Sequence, residues 1–232
     1  MAARSAGPLT SVDVDVVALT LSGGQLADGE QLPSPHVWVE PDDTTPGRRR
    51  LPGRPLTPAD DLEGAARGVL AAIGIDEPRH LEQLASFGAP DRVPGRHAVS
   101  VSYLALIPEP HHPPAHGTDG GWVPAAQQAA GDLAWDHATI VEAAVQRVRS
   151  KLSYSNIAYG LLPDEFTMSE LQLVYEAVLG TTLDKRNFRR KVTALGLLSD
   201  TGRQRRGSHR PARLYTFTSA ELVLLDDVIA TS

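Results

Sequence analysis

Between Lys185 and Arg213 the chain carries ten lysines and arginines (Lys185, Arg186, Arg189, Arg190, Lys191, Arg203, Arg205, Arg206, Arg210 and Arg213) and one acid, Asp200. That local charge of +9 sits in a protein whose formal charge is −6. The chemistry open to such a segment is anion binding rather than bond making. Guanidinium and ammonium groups pair with phosphate oxygens, and nucleic acid is the anion that matches a patch of this density. The stretch LDKRNFRRKVTALGLL (183–198) places Phe188, Val192 and Leu195 on one helical face, with Asp184 as its cap and Gly196 as its stop. The stretch RQRRGSHRPARLYTF that follows reads as a hairpin with residues 203–210 at its tip and 212–217 as the return strand. A basic helix followed by a basic hairpin is the layout of a winged helix-turn-helix.

In that layout the first residues of the basic helix reach base edges in the major groove. Lys185, Arg186, Asn187, Arg189, Arg190 and Lys191 are therefore the candidates there. Arg186 or Arg190 could pair with guanine and Asn187 with adenine, while most of the others contact phosphate. Arg203, Arg205, Arg206, His209 and Arg210 form the wing. Arg213 either joins them or braces the hairpin. Thr167 and Ser169 can each donate to a phosphate, and both also fit as helix-cap residues.

A second constellation spans residues 53–75, GRPLTPADDLEGAARGVLAAIGI. It fits, without a gap, the skeleton G-x5-E-x7-R-E-U-x-E-E-x-G-U of the Nudix hydrolase box, where U is bulky and apolar. Gly53 opens it, Arg67 takes the arginine place, Val69 and Ile75 the apolar places, and Gly74 the final glycine. The four glutamate places hold Ala59, Gly68, Ala71 and Ala72. Pyrophosphate hydrolysis of this kind needs a divalent metal, and a hard metal needs carboxylate oxygens. Alanine and glycine offer none, and Asp60, Asp61 and Glu63 stand off the metal-facing places. No catalytic residue and no metal site is expected. Arg67 is expected to hold the box together through a buried hydrogen bond. His111, His112 and His116 lie in a proline-rich loop with no helical frame for a zinc site and no cysteine nearby.

These residues need elements to position them. At 232 residues with 41% apolar content, the chain can build two ordinary domains. Residues 1–139 carry −9 and residues 140–232 carry +3, which points to two domains with different partners. The boundaries read as 11–135, a linker helix at 136–152, and 153–232. Strands are predicted at 12–21, 36–40, 80–88 and 97–107, with loops at 22–35 and 41–50 and a turn at 51–53. A helix is predicted from Pro58 to Gly74. The linker helix has Ile140, Val141, Ala144, Val145 and Val148 on one face. A capping-box pair, Thr167 and Glu170, precedes a helix that ends at Gly180, and a last short helix is read at 221–229. There is no cysteine, no apolar run long enough to span a membrane and no secretory leader, so a cytoplasmic protein is expected.

Both halves together resemble the Nudix-related transcriptional regulators of the NrtR family. The similarity is carried by residues 153–180 (SYSNIAYGLLPDEFTMSELQLVYEAVLG), 183–198 and 210–217, and more weakly by the box skeleton and residues 86–108. The resemblance implies an α+β chain: an N-terminal Nudix-like α/β/α sandwich and a C-terminal winged helix. It implies a repressor of NAD synthesis or salvage genes, acting as a homodimer on operator DNA, with ADP-ribose or a related nucleotide as effector and no cofactor. A diphosphate ligand needs cations and an aromatic wall. Arg49, Arg50, Arg54, Arg92 and Arg96, with Phe87, are the candidates, and Trp38 and Tyr103 could also stack. A regulator of another pathway sensing a sugar or other nucleotide, and a hydrolase using substitute carboxylates, are the alternatives.

Overall fold

A twelve-residue strand at the start of the chain organises the first half. The computed structural model describes residues 10–22, 32–108, 120–128, 133–206 and 211–225. In chain order it forms β1 (Ser11–Ser22), β2 (Ser34–Pro41), β3 (Arg49–Arg50), β4 (Gly53–Pro55), α1 (Leu62–Ala72), β5 (His80–Phe87), β6 (Ala98–Leu106), β7 (Gly121–Pro124), α2 (Ala125–Gln128) and α3 (His137–Tyr154). The sheet runs β3-β2-β1-β6-β5, with β4 also on β1 and β7 on β2. β1 and β6 are parallel, with Val17 opposite Leu104; the other pairs are antiparallel.

Side-chain alternation along β1 divides the core in two. Val14, Val16 and Ala18 face α1 and pack with Ala65, Ala66, Val69 and Leu70. Val17, Leu19 and Leu21 face the other way, toward Ile140, Val141, Ala144 and Val148 of α3. The first half is thus a sheet between helices, as expected. Helix α1 starts later than predicted. Asp61, not Pro58, sits at its N-cap and accepts from the Gly64 amide at 2.7 Å. Gly74 follows its end at φ +82°. The region read as loop and turn at 41–53 contains β3 and the start of β4, pairings of two or three residues that are too short to show a period.

The second half begins with a 3-10 turn (Ile157–Leu161). It continues with β8 (Phe166–Thr167), α4 (Met168–Leu179), α5 (Lys185–Ala194), β9 (Leu198–Arg205) and β10 (Ala212–Phe217). The small sheet has the order β8-β10-β9. β9 begins at Leu198, so Arg203 and Arg205 lie on a strand rather than at the hairpin tip. The predicted last helix is absent over 221–225. Those residues instead run back along the end of α3: the Asn156 side chain donates to Glu221 O and accepts from Val223 N, and Leu225 N reaches Tyr154 O at 2.8 Å. Residues 226–229 lie outside the described residues, as do His111, His112, His116, His209 and Arg210. No helix among the described residues is long and apolar enough to cross a membrane.

The halves share one core. Buried residues of the sheet and α3 continue into Ile157, Phe166, Leu171, Val174 and Phe188 without a break. A Cβ on Gly160 would lie 2.8 Å from Leu106, so only glycine allows this approach. At the seam, Glu82 on β5 takes Arg147 at 3.0 Å, Lys151, and His80 Nε2 at 3.0 Å, while His80 Nδ1 meets the Tyr159 hydroxyl at 2.8 Å. Burial alone would push the Glu82 carboxyl up. Hydrogen bonds from His80 and Lys151, and their charges, outweigh it and hold the group at about 2.

A depressed carboxylate contributes stability above its unfolded value, near 4.5, and loses it as the pH falls toward 2. In Glu82→Gln, chemical unfolding at pH 7 is expected to show a loss on the order of 2–3 kcal/mol. The gap to wild type should narrow between pH 4.5 and pH 3. A gap that stays constant from pH 7 to pH 3 would mean the loss is one of packing rather than charge.

Candidate nucleic-acid interface and ligand cleft

The two helices that present the basic face are fixed by short-range hydrogen bonds. Thr167 caps α4 and forms both arms of a capping box. Glu170 N donates to Thr167 Oγ1 at 3.2 Å, and Thr167 N donates to Glu170 Oε2 at 2.7 Å. Gly180 ends the helix at φ +69°. The turn into α5 is wired by two buried polar side chains that the sequence reading missed. Glu176 Oε1 accepts from Gln172 Nε2 at 2.9 Å and from Leu183 N at 2.8 Å, and Gln172 Nε2 also donates to Leu183 O. Their i, i+4 spacing on an otherwise apolar face was the available signal.

Helix α5 is capped by Asp184, which accepts from Asn187 N at 2.8 Å. Phe188 and Val192 are buried, with the Phe188 ring against Tyr175 at 5.1 Å, so Phe188 is a core residue. Lys185, Arg186, Arg189 and Arg190 are exposed on the opposite face. Among the described residues, none of the four has a carboxylate within ion-pair distance. Arg190 donates to Asn187 Oδ1 at 2.7 Å, and Arg189 reaches the Tyr215 hydroxyl at 3.4 Å. Lys191 is half-buried.

The wing is different. Arg203 pairs with Glu165, and Arg205 with the same Glu170 that closes the capping box. Arg213 pairs with Asp200 across the hairpin at 3.1 Å, which is the bracing arrangement. Arg206 is exposed at the end of the strand. Between the start of α4, α5 and β10 lies a groove of about 350 Å³ lined by Thr167, Ser169, Arg189, Arg213 and Tyr215. Helix N-terminus and guanidinium groups there converge on one space, an arrangement that suits a phosphate oxygen.

In the first half the candidate ligand residues do not form one patch. Arg54 holds Asp60 through two bonds of 2.8 Å on the α1 side, and the pair keeps the Asp60 carboxyl well below the usual range. Arg50 pairs with Glu40 at 2.6 Å; burial nevertheless raises the Glu40 carboxyl. Arg49 lies half-buried on β3, and Phe87 half-buried on β5. Arg96 pairs with Asp13 at 2.6 Å. Arg92 is buried, grips Asp136 at 2.9 and 2.8 Å, and lies 3.6 Å from Asp15. Burial lowers the basicity of His137 despite nearby Asp15 and Asp136, and its Nδ1 accepts from Leu51 N at 2.9 Å. Arg92 and Asp136 line a cleft of about 440 Å³ together with Arg48, Asp91 and Trp135. Trp38 and Tyr103 are buried in the core beneath α1, and neither is open to stack on a ligand.

Ala59, Arg67, Gly68, Ala71, Ala72 and Gly74 of the box segment lie on the surface, Arg67, Gly68, Ala71 and Ala72 within α1. Arg67 is not buried; it forms an exposed i, i+4 pair with Glu63 at 2.8 Å, because its position on α1 faces away from the sheet. Gly53 is needed sterically, since a Cβ there would lie 2.2 Å from Asp15 Oδ1. Among the described residues, no three His, Asp or Glu side chains gather as a metal would require.

Residues 158–217 match the family model of the NrtR DNA-binding winged helix domain. The ADPR responsive transcriptional repressor NtrR of Acinetobacter baylyi is 37% identical over 223 residues, which covers 92% of this chain and 84% of that protein. Among solved structures, Shewanella oneidensis NrtR complexed with a 27mer DNA superposes with a TM-score of 0.77 at 31% identity, covering 89% of this chain and 93% of that one. A MutT/nudix family protein from Enterococcus faecalis, at 24% identity, shares the fold with a TM-score of 0.72 over 91% of this chain and 89% of its own. On this similarity, which spans both the Nudix-like sandwich and the winged helix, the chain belongs to the NrtR family.

Proposed function

We propose that the protein is a ligand-responsive transcriptional repressor. Its winged helix binds operator DNA, and its Nudix-like domain binds ADP-ribose or a related nucleotide without hydrolysing it. The observation that carries this reading is the exposed face of α5, four cations with no acidic partner among the described residues, beside the groove at the start of α4. The DNA-bound Shewanella relative and the Acinetobacter repressor support it. Lys185, Arg186, Asn187, Arg189 and Arg190 enter the major groove. Thr167, Ser169, Lys191, Arg203, Arg205, Arg206, His209, Arg210 and Arg213 serve the backbone. Two copies bind a two-fold operator, because half-sites one helical turn apart multiply affinity. The regulated genes are those of NAD synthesis or salvage, and the protein acts in the cytoplasm. The box places held by Ala59, Gly68, Ala71 and Ala72 supply no metal-binding oxygen, so the sensor domain binds and does not cut.

The test is fluorescence anisotropy on promoter DNA from NAD synthesis and salvage genes, with and without ADP-ribose. Selective binding released by ADP-ribose is the expected result, and absence of selective binding would remove the reading. With about six phosphate contacts, log affinity should fall with log salt at a slope of about −5. Arg190→Glu should abolish operator binding with no change in thermal unfolding.

The wing pairs generate a sharper expectation. Exposed ion pairs are worth about 0–1 kcal/mol, so Arg203 and Arg205 can exchange Glu165 and Glu170 for phosphate at little cost. Glu170→Gln keeps the capping-box hydrogen bond and removes the charge. Operator affinity should rise by about 3–10-fold, with a steeper salt slope. Unchanged affinity and slope would show that Arg205 does not reach the DNA.

A further inference from the structure

The cleft beside Arg92 has features that neither the fold nor the DNA interface explains. Trp135 on its wall has φ +57°, the one non-glycine residue with positive φ among the described residues. A bulky residue held in the left-handed region is strained, and such strain gathers at ligand clamps. Its ring is fixed edge-on against His137, with centroids 4.9 Å apart and planes at 88°. Arg92 is 4% exposed, yet its Nη1 has no hydrogen-bond partner. The charges cancel, Arg48 and Arg92 against Asp91 and Asp136, so the cleft does not select a bare anion. What it presents is carboxylate acceptors, guanidinium donors, the Thr45 hydroxyl and an indole wall. Adjacent hydroxyls on a five-membered sugar ring satisfy that set, each both donating and accepting, while the ring's C–H face meets the indole.

Asp136 gives the cleft a route outward. It stands at the N-cap position of α3 and makes no side-chain bond to the helix; its carboxylate is turned to Arg92 instead. An aspartate so placed has two alternative partners, the guanidinium and the unpaired amides at the helix start. A hydroxyl that takes Arg92 frees the carboxylate for the helix. The far end of α3, 18 residues on, meets the winged helix, where Arg149 donates to Val178 O at 2.8 Å.

We propose that this cleft binds a ribosyl group and that Asp136 transmits its occupancy to the winged helix through α3. The inference rests on the nucleotide-sensing reading and names the part of the ligand held here. Calorimetric titration with ADP-ribose and with ribose 5-phosphate tests it on wild type, Asp91→Asn and Trp135→Gly. Asp91 is exposed and glycine tolerates the Trp135 backbone, so both variants should fold. The expected result is a Kd for ADP-ribose about tenfold or more weaker in each variant. Unchanged Kd values in both variants overturn the cleft and leave the effector reading standing. Wild-type binding of ribose 5-phosphate alone, weakened by Asp91→Asn, keeps the cleft and overturns ADP-ribose as effector; binding of neither overturns both. For the transmission, the ratio of operator affinities without and with saturating ADP-ribose should fall toward unity in Asp136→Asn. A ratio equal to wild type overturns the role of Asp136.

Discussion

Glu82 is the point through which the two halves of the molecule are held in register. Its carboxylate binds Arg147 and Lys151 on α3 and His80 on its own strand, and His80 passes the contact to Tyr159 in the turn that opens the winged helix. Three elements from different parts of the chain thus meet at one half-buried charge. Such a charge tolerates little displacement, because its hydrogen bonds to Arg147, Lys151 and His80 fix it from three sides at once. Helix α3 also buries Ile140, Val141, Ala144, Val148 and Leu152. The helix cannot roll without disturbing both this hub and the shared core.

The same economy of charge appears at the DNA face. A chain of −6 gathers ten of its 22 lysines and arginines between Lys185 and Arg213, and of these Arg203, Arg205 and Arg213 are paired with Glu165, Glu170 and Asp200. Among the described residues, Lys185, Arg186, Arg189 and Arg190 of α5 have no such acidic partner. Unpaired cations steer an encounter with a polyanion, whereas an arginine already paired must exchange its acid for phosphate before it can contribute. Acids held beside such arginines repel a polyanion that is out of register, which favours selectivity over raw affinity.

Features legible in the sequence are those written within four or five residues. Thr167 with Glu170, Gly180, Asp184 and Gly196 each act on the next turn of backbone, and each is where local rules place it. Strands were legible where apolar alternation marked them, as at β1, β5, β6 and β10, but not at β9, whose run of polar and basic residues shows no such alternation. What could not be read depends on chain separation. Arg92 with Asp15 and Arg205 with Glu170 join residues with no local relation. The strap at 221–225 carries Leu222, Val223, Leu224 and Leu225, whose apolar character suggested a helix. Its backbone is instead taken by Asn156, a residue far upstream. Alternation shows that a strand has two faces, not which of them α1 covers, so the burial of Trp38 and Tyr103 could not be read locally.

The box segment separates structural from chemical duty in a single helix. Gly53 permits the close approach to Asp15, Val69 and Ile75 are buried in the α1 core, and Gly74 carries the positive φ that ends the helix. Each place that matches the skeleton in this way has a task in the fold. The places that the skeleton assigns to glutamate hold Ala59, Gly68, Ala71 and Ala72, all exposed and free of any packing task. Small residues at exposed helix positions cost the fold almost nothing, whereas a cluster of four carboxylates without a metal would repel itself. A box segment that keeps the frame and drops the charges is therefore more stable in the absence of metal than one with four uncompensated carboxylates.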